Sequence, residues 1–231
     1  MTIKMYDLAG ADPAVRFSPY CWRIRMALAH KGLEVETIAW RFSDKDAIAF
    51  SGQGLVPVLR DGDTIVHDSW AIAEYLDKTY ADRPRLMDGE QGRALASLVR
   101  HIAQNVLLTP IAKAIIMDLF HALAPGDQPY FRDSREKRFG MALEKFQIAP
   151  DAALAQMTIA VSPLRALLKE QPFLNGRHPA WADYCLFGSF MWARNVSDVA
   201  LLAPDDPVYA WREQMLDLFD GLARKSARAA G

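Results

Sequence analysis

Three short segments in the first seventy residues carry groups that could bind an anion or a peptide. The first is Ser18-Pro19, which lies between a strand-like run and a helical run. Ser18 is predicted to be the N-cap and Pro19 the first helical residue. The N–H groups of the first turn would then point outward together and favour an anion such as a thiolate or a carboxylate. The alternative is a helix cap without chemistry, because Ser-Pro begins many helices.

The second segment is Val56-Pro57, at the start of a predicted strand. Proline cannot donate a hydrogen bond to a neighbouring strand, and a turn-bounded proline is a candidate cis peptide. A cis bond would leave the Val56 N–H and C=O facing outward, where they could pair with an extended peptide ligand. The alternative is an ordinary edge-strand proline, since most such bonds are trans.

The third segment is Asp68-Ser69, at a turn between a predicted strand and a predicted helix. The exposed N–H groups and the Ser69 hydroxyl suit a carboxylate, and the Asp68 carboxylate suits an ammonium group. Such a corner could bind both ends of an amino acid. A simple helix cap is the alternative, since Asp and Ser are common caps.

The elements that must position these groups fall into two parts of the chain, which differ in their hydrophobic periodicity. Strand and helix patterns alternate first, with a hairpin turn at Asp61-Gly62-Asp63, and predict a βαβ-ββα unit built from runs at 3–8, 19–31, 34–40, 55–59, 64–66 and 69–80. Turn residues then mark a linker. Only helical runs follow, at 91–123, 130–146, 152–168, 182–195 and 207–223, and Pro110 is expected to kink or divide the first. We therefore predict domains at 1–81 and 90–231 joined by a linker at 82–89.

Composition restricts the classes of partner. The 231 residues include 51% hydrophobic residues, enough for a buried core, and the net charge of −1 gives no general attraction for nucleic acid or anionic lipid. Cys21 and Cys185 lie far apart without metal-ligand spacing, and the five histidines show none either. The N-terminus has no apolar signal segment, and charges interrupt the apolar runs. We expect a cytoplasmic protein that holds no metal and contacts no membrane or nucleic acid.

The order and spacing of these segments resemble the glutathione transferase family, which has a thioredoxin-like first domain and a helical second domain. The resemblance covers essentially the whole chain. It rests on Ser18-Pro19-Tyr20-Cys21, Gly54-Leu55-Val56-Pro57, the run from Asp68 to Leu76, and Trp181-Ala182-Asp183-Tyr184. Within the family the chain looks most like a bacterial serine-type branch that includes lignin β-aryl ether-cleaving enzymes and their serine-type fungal relatives, the FuA-like transferases. Further matches support that branch at Trp22-Arg23, 80–84, 205–207 and 217–221.

The resemblance implies roles for particular residues. Ser18 would face the sulfur of glutathione, the co-substrate, Val56 would pair with its cysteinyl backbone, and Pro57 would be the cis-proline. Asp68 and Ser69 would hold the γ-glutamyl end. For the glycine carboxylate, Gln53 and Arg41 rank ahead of Lys45. Homodimers, with the first domain against the partner's second, are also expected from the family.

Two departures from the family pattern restrict the chemistry. Ser18 stands where redox-active relatives have a reactive cysteine, so dithiol exchange through Cys21 is not expected. Ala180 stands where a Ser or Thr usually pairs with the buried aspartate of a capping box, here Asp183, which we interpret as structural.

Tyr6 is an alternative hydroxyl donor to the sulfur. Six apolar residues of the helical domain could line an electrophile pocket or belong to the core: Met117, Phe120, Met141, Phe190, Met191 and Trp192.

We therefore expect a glutathione transferase in which Ser18 stabilises the glutathione thiolate for attack on an electrophile, in particular an aromatic one. Cleavage of β-aryl ethers is the most specific version. General detoxifying conjugation is an alternative within the same chemistry. A glutathione-binding carrier protein without turnover is the non-enzymatic alternative.

Overall fold

The computed structural model describes residues 2–229, and the predicted fold class is confirmed over this part of the chain. A mixed sheet with two helices is followed by a helical domain. The predicted domain ranges also include Met1, Ala230 and Gly231, which lie outside the described residues.

The first domain contains a four-stranded sheet in the order β2-β1-β3-β4. β1 and β2 are parallel, and the other neighbouring strands are antiparallel. The elements follow the predicted order, with a 3₁₀ helix at Lys45–Ser51 and the others at β1 Ile3–Leu8, α1 Pro19–His30, β2 Val35–Trp40, β3 Val58–Asp61, β4 Thr64–His67 and α2 Ser69–Thr79. This topology brings the end of β1, the start of α1 and the start of β3 to one edge of the sheet.

The second domain begins with a long helix that changes its winding. α3 (Gly89–Ile102) passes through a π-helical turn (Ala103–Leu107) into α4 (Leu108–Ala122). Pro110 lies in the first turn of α4 and has no N–H to donate to the preceding turn. The irregularity expected from Pro110 is therefore present, but it precedes the proline and does not end the helix.

Two predicted helical runs are each divided in the structure. The run at 130–146 becomes α5 (Gln128–Phe139) and α6 (Leu143–Phe146), because Gly140 ends α5 with a φ of 70°. The run at 152–168 becomes α7 and α8, with Pro163 in the first turn of α8. The remaining bounds are α7 Pro150–Ala160, α8 Ser162–Glu170, α9 Trp181–Val196 and α10 Pro207–Gly221.

The closest packing between the domains joins α1 to α9. Gly188 makes this approach possible, because a Cβ atom at that position would lie 2.2 Å from the Pro19 carbonyl oxygen and 3.2 Å from Arg23 Cγ. At the end of α9, the Asn195 side-chain amide donates to the Arg16 carbonyl at 2.7 Å, and the Trp22 indole N–H donates to the same carbonyl at 2.7 Å. The helical domain thus fixes the segment that leads into Ser18.

Asp183 organises the start of α9 as a structural residue. Its carboxylate accepts four hydrogen bonds, from the backbone N–H groups of Leu174, Asn175 and Ala180 and from the Trp211 indole. Burial raises the pKa of Asp183, and these donors oppose that effect. The Ala180 N–H still bonds to Asp183, although Ala180 has no hydroxyl to complete the reciprocal half of a capping box.

The continuous helix Gly89–Ala122 is long and apolar enough to cross a membrane by length and composition alone, although Arg100, Lys113 and Asp118 interrupt its apolar runs as expected. Core helices of globular proteins pass the same test. In the α4 part of this helix, Ile111, Ile115 and Leu119 are buried against other elements of the helical domain. These apolar residues of α4 therefore belong to the core of the helical domain.

Candidate functional site

A cleft of about 410 Å³ lies between the two domains at the edge of the sheet described above. Ser18 and Val56 line it from the first domain, and residues of α4 and α5 line it from the second. A second depression of about 320 Å³ contains Asp68 and Ser69 and shares Tyr20, Leu55 and Val56 with the cleft. The two spaces are therefore contiguous, and they bring the three predicted segments together.

Ser18 is the N-cap of α1, as predicted, and is almost completely buried at the floor of the cleft. Its Oγ accepts a hydrogen bond from the Cys21 N–H at 3.3 Å. Because that bond uses a lone pair of the oxygen, the hydroxyl proton remains available to donate into the cleft. The cap thus positions the hydroxyl without using its proton, and the hydroxyl also lies within hydrogen-bond reach of the Cys21 thiol.

Cys21 lies behind Ser18 and is fully buried. Burial raises its pKa well above the usual range for a thiol, and the nearby negative charge of Asp7 adds to this effect. Asp7 is itself buried, with Arg25 at 3.6 Å and Arg16 at 4.0 Å from Oδ2. These effects favour the thiol form of Cys21 over the thiolate, and the absence of dithiol exchange stays a prediction.

The Val56–Pro57 peptide bond is cis, as the resemblance implies. Within residues 2–229, no hydrogen bond engages the Val56 N–H or C=O. Both groups belong to a residue that lines the cleft and the adjoining depression. They are therefore available to an extended ligand backbone.

Asp68 caps α2 with one carboxylate oxygen, which accepts from the N–H groups of Trp70 at 2.9 Å and Ala71 at 3.1 Å. The second oxygen of Asp68 makes no hydrogen bond to the described residues, and neither does the Ser69 hydroxyl. The corner therefore combines a cap with an unused carboxylate oxygen and an unused hydroxyl.

The two residues ranked first for a glycine carboxylate have other partners in the structure. The Arg41 guanidinium donates to the carbonyls of Gly10 and Ala11 at 3.1 and 2.7 Å, and Arg41 does not line the cleft. Gln53 lines the depression, but its side-chain amide bonds to both the N–H and the C=O of Leu55. The structure therefore does not bring Arg41 to the site, and it gives Gln53 a loop-forming role.

Tyr6 and most of the apolar candidates lie outside the cleft. The Tyr6 ring packs against Phe50 with centroids 5.4 Å apart, and among the six apolar candidates only Trp192 lines the cavity. Phe190 and Met191 are buried in the core. The cavity walls instead come from residues that were not singled out, including Leu108, Ala112, Ile116 and Leu119 of α4 and Phe131, Arg135, Arg138 and Phe139 of α5.

The charged residues that line the cleft are basic. They are Arg135 and Arg138, and no Asp or Glu lines the cleft among the described residues. Burial lowers the pKa of Arg135, as does the like charge of Arg138, but an arginine pKa is far enough above neutrality for the group to stay charged. The α5 wall of the cleft is therefore aromatic and cationic.

Comparison with known protein families gives two matches that together cover most of the chain. Residues 17–79 match the family described as "Glutathione S-transferase, N-terminal domain", and residues 94–200 match "Glutathione S-transferase, C-terminal domain". Among characterised proteins, the chain is 36% identical over 106 residues to Glutathione S-transferase Z2 of Arabidopsis thaliana, covering 44% of this chain and 46% of that protein. It is 29% identical over 171 residues to the Glutathione S-transferase-like protein ustS of Aspergillus flavus, covering 67% and 55%. The matches thus span about half the length of these relatives.

Solved structures match over nearly the whole chain. The glutathione transferase GSTFuA3 from Phanerochaete chrysosporium has a TM-score of 0.78 and 26% identity, with 96% of this chain and 92% of that chain covered. The glutathione S-transferase CsGST63524 of Ceriporiopsis subvermispora, solved in complex with glutathione, has a TM-score of 0.81 and 23% identity, with 95% and 97% covered. The second likeness is one of fold. Neither match distinguishes a bacterial serine-type or ether-cleaving branch.

Proposed function

Because this chain belongs to the glutathione S-transferase family, we propose that its cleft binds glutathione and that Ser18 stabilises the bound thiolate for attack on an electrophile. One observation carries the proposal. The Ser18 hydroxyl, the free backbone of Val56 and the unused groups of Asp68-Ser69 line two contiguous spaces. These are the groups that a thiol, a peptide backbone and an amino-acid terminus require.

The same residues have specific roles in the proposed complex. Val56 pairs with the cysteinyl unit through its N–H and C=O, next to the cis bond to Pro57. Ser69 and the first-turn N–H groups of α2 hold the γ-glutamyl carboxylate, and Asp68 holds its ammonium group. Arg41 and Gln53 are not proposed for the glycine carboxylate, because their side chains already bond to the Gly10–Ala11 and Leu55 backbones.

The energetics of this role are reasonable for a single hydroxyl. For the pKa of a thiol to fall by about two units from about 8.5, the thiolate must be stabilised relative to the thiol by roughly 2.7 kcal/mol. A hydrogen bond to a charged group contributes about 1.5 to 3 kcal/mol. The N-terminus of α1 adds about 0.3 to 1 kcal/mol. The attack therefore requires no general base.

Replacement of Ser18 tests this mechanism. Ser18→Ala is expected to retain glutathione binding in calorimetry and to raise, by about one to two pH units, the pH at which ultraviolet absorbance reports thiolate in the complex. Ser18→Thr, which keeps the hydroxyl, should restore the lower pH. An unchanged thiolate titration in Ser18→Ala would remove Ser18 from the mechanism.

The electrophile is proposed to be aromatic, because Phe42, Phe131, Phe139 and Trp192 line the cleft beyond Ser18. In ether cleavage, the glutathione sulfur would bond to the β-carbon while the carbon–oxygen bond breaks and an aryl oxide leaves. Assays with a β-aryl ether dimer and with a generic halogenated aromatic distinguish ether cleavage from general conjugation. Tight glutathione binding with no turnover on either would instead indicate a carrier.

We also propose a homodimer in which the first domain packs against the partner's second. Large exposed apolar side chains occur on both domains, with Phe50 and Ile65 on the first and Leu98 and Val106 on the second. An interface between the first domain and the partner's second would have exposed apolar side chains available on both sides. Light scattering should give twice the monomer mass, and Leu98→Glu should give the monomer mass, unlike Ile159→Glu at an exposed position on α7. A monomeric parent protein would contradict the dimer, and a dimeric Leu98→Glu variant would contradict this interface.

A further inference from the structure

Two arginines on α5 line the cleft that begins at Ser18. Arg135 and Arg138 are three residues apart, so their side chains project from the same side of the helix. Arg132, one turn earlier, has a different environment, because it forms salt bridges to Glu136 and Glu144 at 2.8 Å. The helix therefore presents one compensated guanidinium away from the cleft and two guanidinium groups along the cleft, that of Arg135 half-buried and that of Arg138 exposed.

Neither cleft arginine has a carboxylate partner among the described residues. Within residues 2–229, the only side-chain hydrogen bond of Arg135 goes to the Ser134 hydroxyl at 3.0 Å. Its guanidinium lies 4.9 Å from the Phe131 ring centroid and 6.0 Å from that of Phe42. These contacts hold the cation in place without neutralising it. A guanidinium held in this way is prepared to bind an anion.

From this arrangement we propose that the cleft selects aromatic electrophiles that carry an acidic group, with Arg135 and Arg138 as the specificity-determining residues. This proposal rests on the proposed transferase function and adds the chemical class of the second substrate. An acidic group on the ring would meet the two guanidinium groups, while the ring would pack on Ile116, Leu119 and Phe139. The electrophilic carbon would then face the sulfur above Ser18.

The reaction leaves the acidic group unchanged. With a chloronitrobenzoate, the glutathione thiolate forms a carbon–sulfur bond at the ring carbon that bears chlorine, and the carbon–chlorine bond breaks with loss of chloride. Electrons and charge balance without an oxidant or a further reactant. The arginines would act by binding and orienting the ring.

The glycine carboxylate of glutathione is the other anion that could reach these arginines. We assign the arginines to the electrophile because a peptide paired with Val56 follows the sheet domain, whereas Arg135 and Arg138 lie on a helix of the second domain. The α4 residues Ala112, Ile116 and Leu119 line the same cleft as Ser18 and the arginines, and this apolar wall suits a ring. The experiment below separates the two anions.

The test compares a chloronitrobenzoate with the matching chloronitrobenzamide, which has nearly the same shape and no charge. After division by the uncatalysed rates, the parent protein should prefer the acid in kcat/KM by tenfold or more. Arg135→Gln and Arg138→Gln should each reduce this acid-to-amide ratio by about tenfold, which corresponds to about 1.4 kcal/mol. Lys137→Gln is the matched control, because Lys137 is exposed on the same helix, does not line the cleft and should leave the ratio unchanged.

A second comparison uses glutathione and its glycine ethyl ester. If Arg135→Gln and Arg138→Gln raise the KM of glutathione but not of the ester, and leave the acid-to-amide ratio unchanged, the arginines bind the glycine carboxylate and the proposal is overturned. Equal ratios in the parent protein and all three variants would also overturn it.

Binding of preformed thioether conjugates distinguishes failure of this proposal from failure of the transferase function. By calorimetry, the conjugate of glutathione with the acid should bind about tenfold more tightly than the conjugate with the amide, and Arg135→Gln should remove the difference. That result without turnover would contradict catalysis and support the anion site. Equal binding of the two conjugates would overturn the anion site, whatever the turnover.

Discussion

Ser18 and Cys21 share the first turn of α1, and their surroundings give them different chemistry. The Ser18 hydroxyl lines the cleft, whereas the Cys21 thiol is buried behind it near the Asp7 carboxylate, which favours the protonated thiol. Desolvation and the Asp7 charge therefore favour the thiol form of Cys21 over a nucleophilic thiolate. The nucleophile in our proposal is the sulfur of the ligand.

The residues that the sequence could identify are those whose roles depend on local structure. Ser18 and Asp68 are helix caps, and Pro57 follows a turn, so short-range patterns are enough to locate them. Arg41 shows the limit of such patterns, because its partners, the Gly10 and Ala11 carbonyls, come from a loop thirty residues away in the sequence. Arg135 was not identified for the same reason, since Phe42 joins it only in the folded chain.

Asp68 has two separable roles, as a cap and as the proposed partner of an ammonium group. Asp68→Asn keeps a cap oxygen and tolerates the φ of 69° at this position, so stability should change by a few tenths of a kcal/mol. Glutathione binding should nevertheless weaken by about tenfold or more, because a charged hydrogen bond contributes about 1.5 to 3 kcal/mol.

Asp68→Ala should lose both roles, with about 1 kcal/mol or more of additional destabilisation from the lost cap. Calorimetry with glutathione and urea unfolding measure the two effects separately. Unchanged affinity in Asp68→Asn would exclude the charge of Asp68 from ligand binding.

At the scale of elements, the sequence predicted types and order better than boundaries. In the first domain, the hairpin turn and the helix caps lie where the sequence predicts them. In the second domain, two predicted helical runs are divided, one at Gly140 and one near Pro163. Both residues were visible in the sequence. A helical period continues on either side of such breaks, however, so apolar spacing alone does not show that the axis changes direction.

The contact of α1 with α9 positions the candidate site, and Gly188 is its closest point. Gly188→Ala would place Cβ 2.2 Å from the Pro19 carbonyl oxygen, a backbone atom next to Ser18. We expect about 1 to 3 kcal/mol of destabilisation in urea unfolding, because overpacking forces the helices apart. We also expect weaker glutathione binding, because the start of α1 would shift.

Gly126→Ala is the matched control, since nothing lies within 4 Å of a Cβ at that position. It should change the free energy of unfolding by less than about 0.5 kcal/mol. Equal stability of the two variants would show that the helices can separate without cost.

At the scale of the whole molecule, His30 connects both domains and the segment between them. The ring lies at the end of α1, and its Nε2 is 3.1 Å from the Arg85 carbonyl, to which it must donate a proton. Its Nδ1 is then an acceptor and receives the Tyr184 hydroxyl of α9 at 2.7 Å. The neutral imidazole makes both bonds in this tautomer, without the cost of desolvating a charge.

Protonation of His30 should therefore weaken the contact between the domains. Burial lowers the pKa of His30 in the folded protein, and the charge of nearby Lys31 lowers it further, while the Arg85 carbonyl and Asp77 oppose these effects. The unfolded chain, with a histidine pKa of about 6.5, binds the proton more readily. The stability that neutral His30 contributes is thus fully present above about pH 6.5 and is lost as the pH falls through the folded pKa.

His30→Gln tests this link, because glutamine can donate and accept hydrogen bonds but does not titrate in this range. The free energy of unfolding should fall more steeply for the parent protein than for His30→Gln between about pH 7.5 and about pH 5. The other four histidines remain in both proteins, so the difference between the two slopes isolates His30. Equal slopes would mean that the imidazole titrates alike in the folded and unfolded chains, and the Tyr184 bond would then not couple the domains to pH.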